Sequence, residues 1–303
     1  MMEQLISICV CTYKRPLLQS TLRSLMQQAV PCGWAIEVVI IDNDSEGSAR
    51  TMVERFALET PFPTRYAIES RKGLSYARNR ALDLAEGDWL AWLDDDERAD
   101  RDWLAKLINT AQQYAADAVV GVVLPDFECP PNKWLIAARA FEWCLPKTGS
   151  PIGMSEARTG NAFLNAKFLN RKGLRFDNRF NTTGGEDSDF FRRLLDQGGL
   201  VVSTREAVVH EFITRERMTR RYIVRRALRV GEVYARVNHL HGGRRKMAAD
   251  LMRAGFNVMA AGILTLISLP CGRGAFYRYY LLLVRNAGKF RYYFGLRPTE
   301  MYK

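Results

Sequence analysis

Short apolar runs alternate with amphipathic segments over the first 125 residues of the chain. The apolar runs are rich in β-branched residues, as is typical of buried strands. The segments between them carry apolar residues at helical spacing, and one of these helices is expected to begin at Gly73. Strands that alternate with helices form a mostly parallel sheet covered on both faces, so we predict an α/β fold. The predicted strands are Leu5–Cys11, Ile36–Ile41, Arg65–Ile68, Trp89–Leu93 and Ala118–Leu124.

The pattern changes after residue 124. Residues 125–160 are rich in proline and glycine, which predicts loops. The segment Thr182–Asp189 then leads into a helical pattern that contains Phe190 and Leu194. Two further apolar runs, Leu200–Ser203 and Ala207–His210, predict a late pair of strands.

Charge divides the chain into two parts. The net charge is +11, from 44 Lys and Arg against 33 Asp and Glu. Residues 1–214 have a balance of −4, whereas residues 215–303 contain 19 basic and 4 acidic residues, a balance of +15. We therefore predict a slightly acidic body, 1–214, and a separate basic helical region, 215–303.

The basic region also contains long apolar and aromatic segments. Arginines interleave with apolar residues from Arg220 to Val230, which predicts a helix with a cationic face. Residues 254–269 are almost wholly apolar but number about 16, short of the roughly 20 that span a bilayer. This combination favours peripheral or monotopic attachment to an anionic membrane over binding to nucleic acid. A re-entrant or spanning segment, and a tail folded onto the body or a partner, are the alternatives.

Composition excludes several classes of protein. An apolar fraction of 48% and a charged fraction of 25% exclude a disordered, collagen-like or coiled-coil chain. The six scattered cysteines lack CxxC spacing and predict reduced thiols. The first residues lack the basic stretch and apolar core of a signal peptide, so we expect a cytoplasmic protein. No GxGxxG follows the first strand, which disfavours an oxidoreductase.

Four consecutive acids, Asp94–Glu97, directly follow the strand Trp89–Leu93. Ligands of an open parallel sheet bind beyond the carboxyl ends of its strands, where these acids fall. If strand geometry persists, Asp94 and Asp96 project to one face and Asp95 to the other. Adjacent carboxylates repel one another, and a Mg²⁺ or Mn²⁺ ion shared with substrate phosphates would relieve that repulsion. The alternative is a solvated acidic turn before the next helix.

Asp42 and Asp44 follow the second strand. Their carboxylates can accept hydrogen bonds from a nucleobase or ribose, or they can close an Asx-turn. Arg78 and Asn79, in the first turn of a helix, can contact a nucleotide or pair with a surface acid.

A further acidic segment is Gly184–Asp187. It reads either as a helix start with acidic first-turn residues or as a carboxylate that takes a proton from an attacking hydroxyl. His210, at the end of a late strand, is either a structural residue or a further metal ligand.

Taken together, these segments resemble family 2 glycosyltransferases of the GT-A fold, a Rossmann-like α/β fold. The resemblance covers about residues 4–230. It is strongest to the bacterial branch of succinoglycan-type, lipopolysaccharide and exopolysaccharide glycosyltransferases, which end the catalytic domain in Gly-Gly-Glu-Asp-x-Asp-Phe-Phe. It implies a nucleotide-sugar half over about 1–120 and an acceptor half over about 121–214. The matching segments are Cys11–Arg15, Val39–Asp44, Gly73–Asn79, Trp92–Glu97 and Gly184–Asp187.

The resemblance implies a nucleotide pocket built from three segments. Thr12, Tyr13 and Arg15 would line this pocket. Asp42 would lie near the base, and Arg78 near the base or the diphosphate.

The remaining implied roles belong to acidic residues and one histidine. Asp94 would meet the ribose, and Asp96, in a DXD motif, would bind a Mg²⁺ or Mn²⁺ ion that bridges the diphosphate. Asp95 could share either role. His210 matches a late metal-binding histidine of some members, and Asp187 would be the catalytic base.

The implied activity is an inverting transfer of a hexose from a nucleotide sugar, with UDP as the expected nucleotide. A carboxylate base that faces the donor activates the acceptor hydroxyl on the face opposite the leaving group. Expected partners are the donor, a saccharide or lipid-linked glycan acceptor and an anionic inner membrane face, without nucleic acid. The expected process is bacterial cell-surface polysaccharide biosynthesis. Alternatives are a sugar nucleotidyltransferase and a non-catalytic, membrane-docked binding protein of the same fold.

Overall fold

The computed structural model describes residues 3–299, and residues 244–246 by their backbone only. The chain divides into two compact units. The first unit contains the residues up to Leu124, together with Trp143–Asn181 and Glu186–Glu211. The second unit contains the described residues from Phe212 onward, joined by two segments from earlier in the chain, Pro125–Glu142 and Thr182–Gly185. Charge alone did not reveal these two segments, because their composition does not differ from that of the body.

Eight strands of the described chain form one sheet, in the order β3-β2-β1-β4-β7-β6-β8-β5. The first three crossovers each contain a helix, as the alternating pattern predicts. The strands are β1 Gln4–Thr12, β2 Trp34–Asp42, β3 Thr64–Ile68, β4 Trp89–Asp94, β5 Glu97–Ala99, β6 Ala118–Phe127, β7 Asn161–Asn165 and β8 Val201–Ile213.

The α/β class is confirmed, but the sheet is mixed rather than mostly parallel. Strands β1 to β4 pair in parallel, whereas β7 runs antiparallel to both β4 and β6. The sequence analysis missed β5 and β7, which are short. The predicted late strand pair is wrong, since β8 is continuous. Arg205 and Glu206 interrupt its apolar pattern because they are exposed in the middle of the strand.

The helices of the first unit cover the sheet with apolar faces. Strands β1 and β2 are buried almost throughout, which explains their continuous apolar sequences. The side chain of Asn161 on β7 ties the antiparallel half together, because its Nδ2 donates to the carbonyl oxygens of Val122 and Ala207. The α-helices of both units are α1 Leu18–Met26, α2 Arg50–Glu59, α3 Leu74–Leu84, α4 Trp103–Gln113, α5 Lys133–Ala137, α6 Ala166–Lys172, α7 Glu186–Asp196, α8 Arg220–Ile267 and α9 Arg273–Tyr293. Of these, α5, α8 and α9 belong to the second unit.

The second unit is dominated by α8 and α9, which approach closely at two glycines. A Cβ on Gly231 would lie 1.8 Å from the carbonyl oxygen of Arg285, and one on Gly288 would lie 2.1 Å from that of Leu228. Gly243, with φ of +64°, breaks α8 into two helical stretches. The unit therefore depends on small residues where its helices cross.

An apolar stripe runs along the second stretch of α8. Its five members are exposed and recur at helical spacing, so they lie on one face. Met247–Ile267 is the one described helix segment that is long and apolar enough to cross a membrane, judged by length and composition alone. The stripe consists of Met252, Phe256, Met259, Ile263 and Leu266.

Candidate active site

Asp95 is held inside the carboxyl edge of the parallel strands. Its Oδ2 accepts a hydrogen bond of 2.7 Å from Thr12 Oγ1 at the end of β1, and its Oδ1 lies 3.5 Å from Arg15 Nε. Burial raises the pKa of Asp95 to about 6, although Arg15 and Thr12 oppose that shift. The structure therefore joins the first predicted nucleotide segment to the acids after β4.

Asp96 is nearly buried and surrounded by other carboxylates. Burial, followed by the negative charges of Glu211, Asp94 and Asp95, raises its pKa to about 7. Arg15 opposes this shift, with Nη1 at 3.5 Å from Asp96 Oδ2. A carboxylate in this setting gains stability in its charged form from any additional cation.

Glu97 is the fourth of the acids predicted after the strand Trp89–Leu93, but the sequence analysis assigned it no role of its own. It is fully buried, and its Oε2 accepts a hydrogen bond of 3.1 Å from the backbone N–H of Asp94. Burial and the charge of Asp94 raise the pKa of Glu97 well above its ordinary value, against the effect of Arg158. Arg158 lies 3.4 Å from Glu97 Oε1 and 3.9 Å from Glu211 Oε2. This buried layer fixes the backbone that presents Asp94.

Gly160 lies just before β7, and because it has no side chain, Asp94 and Glu97 can approach its backbone. A Cβ at this position would lie 2.8 Å from Asp94 Oδ2 and 2.9 Å from Glu97 Oε1. The residue before the antiparallel strand β7 thus bounds the cluster Asp94–Glu97, here called the acidic edge. The pattern of the parallel strands alone therefore could not show the role of Gly160.

His210 contacts Asp100 in the structure, and metal binding by His210 stays a prediction. Its Nε2 lies 3.0 Å from Asp100 Oδ1, and in the β5–β8 register it pairs with Arg98. Glu211 pairs with Glu97 and shares its face of the sheet, because side chains alternate along a strand. Glu211 is a residue of β8 whose charge acts on Asp96 and Glu97.

Within residues 3–299, apart from the side chains of 244–246, no three His, Cys, Asp or Glu side chains are arranged to hold a metal ion. The acids after β4 nevertheless fit a hard divalent cation, since such ions are held by one or two carboxylates together with substrate phosphates. Asp96 and its neighbouring carboxylates are the oxygen donors suited to that role.

Arg78 connects the acids after β4 with those at the start of α7. Its guanidinium is buried, with Nη1 at 2.7 Å from Glu186 Oε1 and Nη2 at 3.6 Å from Asp94 Oδ1. Burial alone would lower the pKa of Arg78, but the charges of Glu186, Asp94 and Asp187 together raise it. One side chain of α3 therefore brings the carboxylates of two distant segments into a single charge cluster.

Asp187 lies in the first turn of α7 and is half-buried. Its Oδ1 accepts a hydrogen bond of 2.7 Å from the backbone N–H of Ser188. This hydrogen bond orients the carboxylate of Asp187 at the start of α7.

The two glycines before Glu186 adopt positive φ angles of +69° and +96°. A Cβ on Gly184 would lie 1.7 Å from Arg229 Nη2, and one on Gly185 would lie 2.5 Å from Val233 Cγ1. Both reasons that favour glycine, the backbone conformation and the close approach, apply here.

Asp42 is fully buried and holds the loop that follows β2. Its Oδ1 accepts from the backbone N–H of Asp44, and its Oδ2 accepts from the N–H of Ala49 and the hydroxyl of Tyr66. The Asx-turn interpretation is thus present in the structure, and contact of Asp42 with a base stays a prediction. Asp44, also buried, has one oxygen without a hydrogen-bond partner.

Asn43 organises the neighbouring loop and was missed in the sequence analysis. Its Nδ2 donates to the carbonyl oxygens of Glu69 and Arg71, and its Oδ1 accepts from the N–H of Gly73. It thereby positions the start of α3, the helix that carries Arg78. Tyr13, in contrast, is exposed between Lys14 and Lys72, with both ammonium groups 5.7 Å from its ring centre.

Two solved structures share this fold. The mannosyltransferase PcManGT from Pyrobaculum calidifontis, in complex with GDP-Man and Mn²⁺, aligns with a TM-score of 0.62 and 18% identity, over 94% of this chain and 86% of that one. S. aureus TarS 1-349 in complex with UDP-GlcNAc aligns with a TM-score of 0.56 and 14% identity, over 96% and 92%. At these identities the likeness establishes the fold, which is that of GT-A glycosyltransferases.

The sequence comparisons identify the family. The chain is 35% identical over 302 residues to the succinoglycan biosynthesis protein ExoM of Rhizobium meliloti (strain 1021), covering 98% of this chain and 95% of that protein. Residues 7–172, more than half of the chain, match the sequence profile of glycosyl transferase family 2. Together with the acidic edge and the Gly-Gly-Glu-Asp segment, these matches mean that the chain belongs to glycosyltransferase family 2.

Proposed function

We propose that this glycosyltransferase moves a hexose from a UDP-linked donor to a hydroxyl of a growing cell-surface polysaccharide, with inversion at the anomeric carbon. The observation that carries the proposal is the position of Arg78. This guanidinium interacts with Asp94, Glu186 and Asp187, so the acids of the two family segments surround one small volume. A sugar bound there has acids from both segments within reach.

The donor is proposed to bind against the carboxyl ends of β1 and β4. Thr12 and Tyr13 would line the nucleotide pocket, with the exposed ring of Tyr13 available for stacking on the base. Asp94, half-exposed above Gly160, would accept hydrogen bonds from the ribose hydroxyls. Arg15, which already faces Asp95 and Asp96, would place positive charge beside the diphosphate.

Asp96, with Asp95 as its neighbour, is proposed to hold Mg²⁺ or Mn²⁺. The raised pKa values of both carboxylates support this assignment, because burial and the neighbouring carboxylates disfavour their charged forms, which a cation would stabilise. When bound, the cation would supply neutralisation of the negative charge on the leaving diphosphate. A relative of the same fold was solved with GDP-Man and Mn²⁺, which also supports the assignment.

Asp187 is proposed as the base that accepts the proton of the acceptor hydroxyl. The hydroxyl oxygen forms the new bond to the anomeric carbon while the bond from that carbon to the diphosphate oxygen breaks. Attack from the face opposite the leaving group produces inversion. Glu186, paired with Arg78, would hold the start of α7 rather than take the proton itself.

The polysaccharide acceptor is inferred from the relative with 35% identity, whose name assigns it to succinoglycan biosynthesis. Peripheral or monotopic attachment to the inner membrane face is proposed from the apolar stripe of α8. Burial of these side chains among lipids would remove exposed apolar surface from water, and nearby arginines would meet anionic headgroups.

The test is a nucleotide-release screen of the purified chain with a panel of sugar nucleotides, with Mn²⁺ or with EDTA. We expect UDP release from one UDP-sugar, dependent on the metal, and an inverted anomeric configuration of the product by NMR. Asp96→Ala should abolish the metal dependence of UDP binding, whereas Asp102→Ala, at an exposed residue, should retain it. Retention of configuration would contradict the proposed base, and release of pyrophosphate from UTP and a sugar phosphate would instead indicate a nucleotidyltransferase.

A further inference from the structure

Arg158 contacts acids from two strands of the first unit. Its Nη2 lies 3.4 Å from Glu97 Oε1 on β5 and 3.9 Å from Glu211 Oε2 on β8. These strands are antiparallel, and Glu97 and Glu211 are direct partners in their register. Like charges directly opposite one another destabilise a pair of strands. A single guanidinium nitrogen of Arg158 therefore faces both of the negative charges that the two strands bring together.

The contact between Arg158 and Glu97 is largely removed from water. The side chain of Glu97 is 1% exposed and that of Arg158 is 16% exposed. Among the described residues, the buried Nε of Arg158 has no hydrogen-bond partner, which adds a cost in free energy to its burial. Replacing a whole buried ion pair by apolar residues often leaves a fold as stable as before, so stability alone does not explain this pair. Its effect on the neighbouring acids offers a better explanation.

Trp143 holds the segment that carries Arg158. Its Nε1 donates a hydrogen bond of 2.8 Å to the carbonyl oxygen of Glu156, and its ring centre lies 5.3 Å from Arg158 Cζ. A guanidinium packed over an aromatic face is attracted by the electrons of the ring. One tryptophan thus holds both the backbone of Glu156 and the guanidinium of Arg158, shortly before Gly160 and β7.

Glu97 connects Arg158 with Asp94. While Oε1 of Glu97 faces Arg158, its Oε2 accepts a hydrogen bond of 3.1 Å from the backbone N–H of Asp94. The two oxygens of one carboxylate therefore join Arg158 to the backbone at the end of β4. Because Asp94 is proposed to meet the ribose, Arg158 can affect donor binding without a contact of its own with the donor.

We infer that Arg158, held by Trp143, is a positioning residue for the proposed donor site, because it fixes Glu97 and, through Glu97, the backbone of Asp94. The inference rests on the proposed function, since it takes Asp94 as a residue that binds the donor. One nitrogen of Arg158 meets both acids, so a lysine ammonium should replace it in large part. An apolar side chain should not, which separates positioning by charge from the filling of space.

Two measurements on the full chain test this inference. The first is hydrogen exchange of the Asp94 amide, followed by NMR without any donor. The second is the initial rate of UDP release, which gives KM and kcat for the donor. The variants are Arg158→Met and Arg158→Lys. Arg171→Met is the matched control, since Arg171 also lies over an aromatic ring, that of Phe168, but is exposed on α6.

In Arg158→Met, we expect the Asp94 amide to exchange about tenfold faster, because its acceptor Glu97 is no longer fixed. The amide of Ala91, buried in the middle of the same strand, should exchange as in the wild type. The donor KM should rise about tenfold while kcat falls by less than about threefold, since an interaction of the bound nucleotide is lost rather than one made only in the transition state. Arg158→Lys should restore the exchange rate and KM to within about threefold of the wild type. Arg171→Met should change neither.

A further variant keeps the test decisive if Arg158→Met does not fold. Trp143→Leu leaves every charge in place and removes only the ring and its hydrogen bond to Glu156. It should accelerate exchange at Asp94 by about threefold, with no change at Ala91. Equal acceleration at the two amides, or none at Asp94, would overturn the positioning role. The same conclusion would follow if Arg158→Lys behaved as Arg158→Met does.

The two measurements keep this inference separate from the proposed function. UDP release with an unchanged donor KM in Arg158→Met would refute the role of Arg158 alone. Faster exchange at Asp94, in a chain whose wild type releases no UDP from any donor, would refute the proposed function alone.

Discussion

The two units of the chain use arginine in different ways. In the first unit, Arg15, Arg78 and Arg158 face buried carboxylates at the carboxyl edge of the sheet. In the second unit, arginines of α8 interact with backbone carbonyl oxygens and aromatic rings, as Arg226 does with Ala140 and Phe141. The first arrangement holds acids together at the proposed catalytic centre, and the second joins α8 to the segment Pro125–Glu142 within the second unit.

The units also differ in the residues that they expose. The first unit buries an apolar core on both sides of β1 and β2. The second unit exposes the apolar stripe of α8 to solvent. The excess of basic over acidic residues lies in 215–303, whereas the acids around Arg78 lie in the first unit, so chemistry and attachment can be tested separately. The predictions below run from the largest expected effect to the smallest.

The first prediction concerns the proposed base. Asp187→Asn should reduce sugar transfer by about a thousandfold, because the amide cannot accept the proton of the acceptor hydroxyl. Binding of the UDP-sugar, measured by calorimetry, should be essentially unchanged. Asp196→Asn, on the exposed end of the same helix, is the matched control and should transfer sugar normally. Full activity of Asp187→Asn would remove this residue from the mechanism.

The second prediction tests the cluster around Arg78. Arg78→Met should lower the free energy of unfolding by about 3–5 kcal/mol, because buried Glu186 loses the guanidinium at 2.7 Å from its Oε1. Urea denaturation measures the change. Adding Glu186→Gln should restore part of that stability. Arg80→Met, an exposed arginine of the same helix, should change it by less than about 0.5 kcal/mol. Equal effects of Arg78→Met and Arg80→Met on the free energy of unfolding would show that the charge cluster around Arg78 does not stabilise the fold.

The third prediction uses the space above Gly160. Gly160→Ala should reduce transfer by about a hundredfold, because a Cβ there displaces Asp94 and Glu97 from their positions. Initial rates at saturating donor measure the effect. In the control Gly153→Ala, the new Cβ meets only the flexible end of Glu156, at 3.3 Å, so transfer should remain near the wild-type rate.

The fourth prediction separates attachment from chemistry. Phe256→Ser should weaken binding to anionic vesicles about tenfold, since an exposed aromatic ring of the stripe is lost. Sedimentation with vesicles measures the change, and UDP release in detergent should persist. Leu58→Ser, at an even more exposed apolar residue of the first unit, is the control and should bind vesicles as the wild type does. If Phe256→Ser also binds normally, the stripe is not the attachment surface.

The sequence predicted the parallel half of the fold well and the antiparallel half poorly. Apolar runs such as Ile36–Ile41 are long, buried and flanked by clear turn signals. Strand β7 follows a long irregular segment, and the polar residues Arg205 and Glu206 hide the continuity of β8. The hydrophobic pattern along the chain predicts which residues are buried. It predicts the order and direction of strands only where the connections between them are regular.

The sequence by itself determined which acids follow β4 and begin α7, because residue type and position relative to a strand or helix end are local properties. Only the tertiary structure decided which of them meet. Arg78 links Asp94 with Glu186, Glu211 lies opposite Glu97 and acts on Asp96, and Gly160 leaves room for Asp94 and Glu97. These relations join residues that are 16 to 115 positions apart, and such contacts are set by packing rather than by any pattern along the chain.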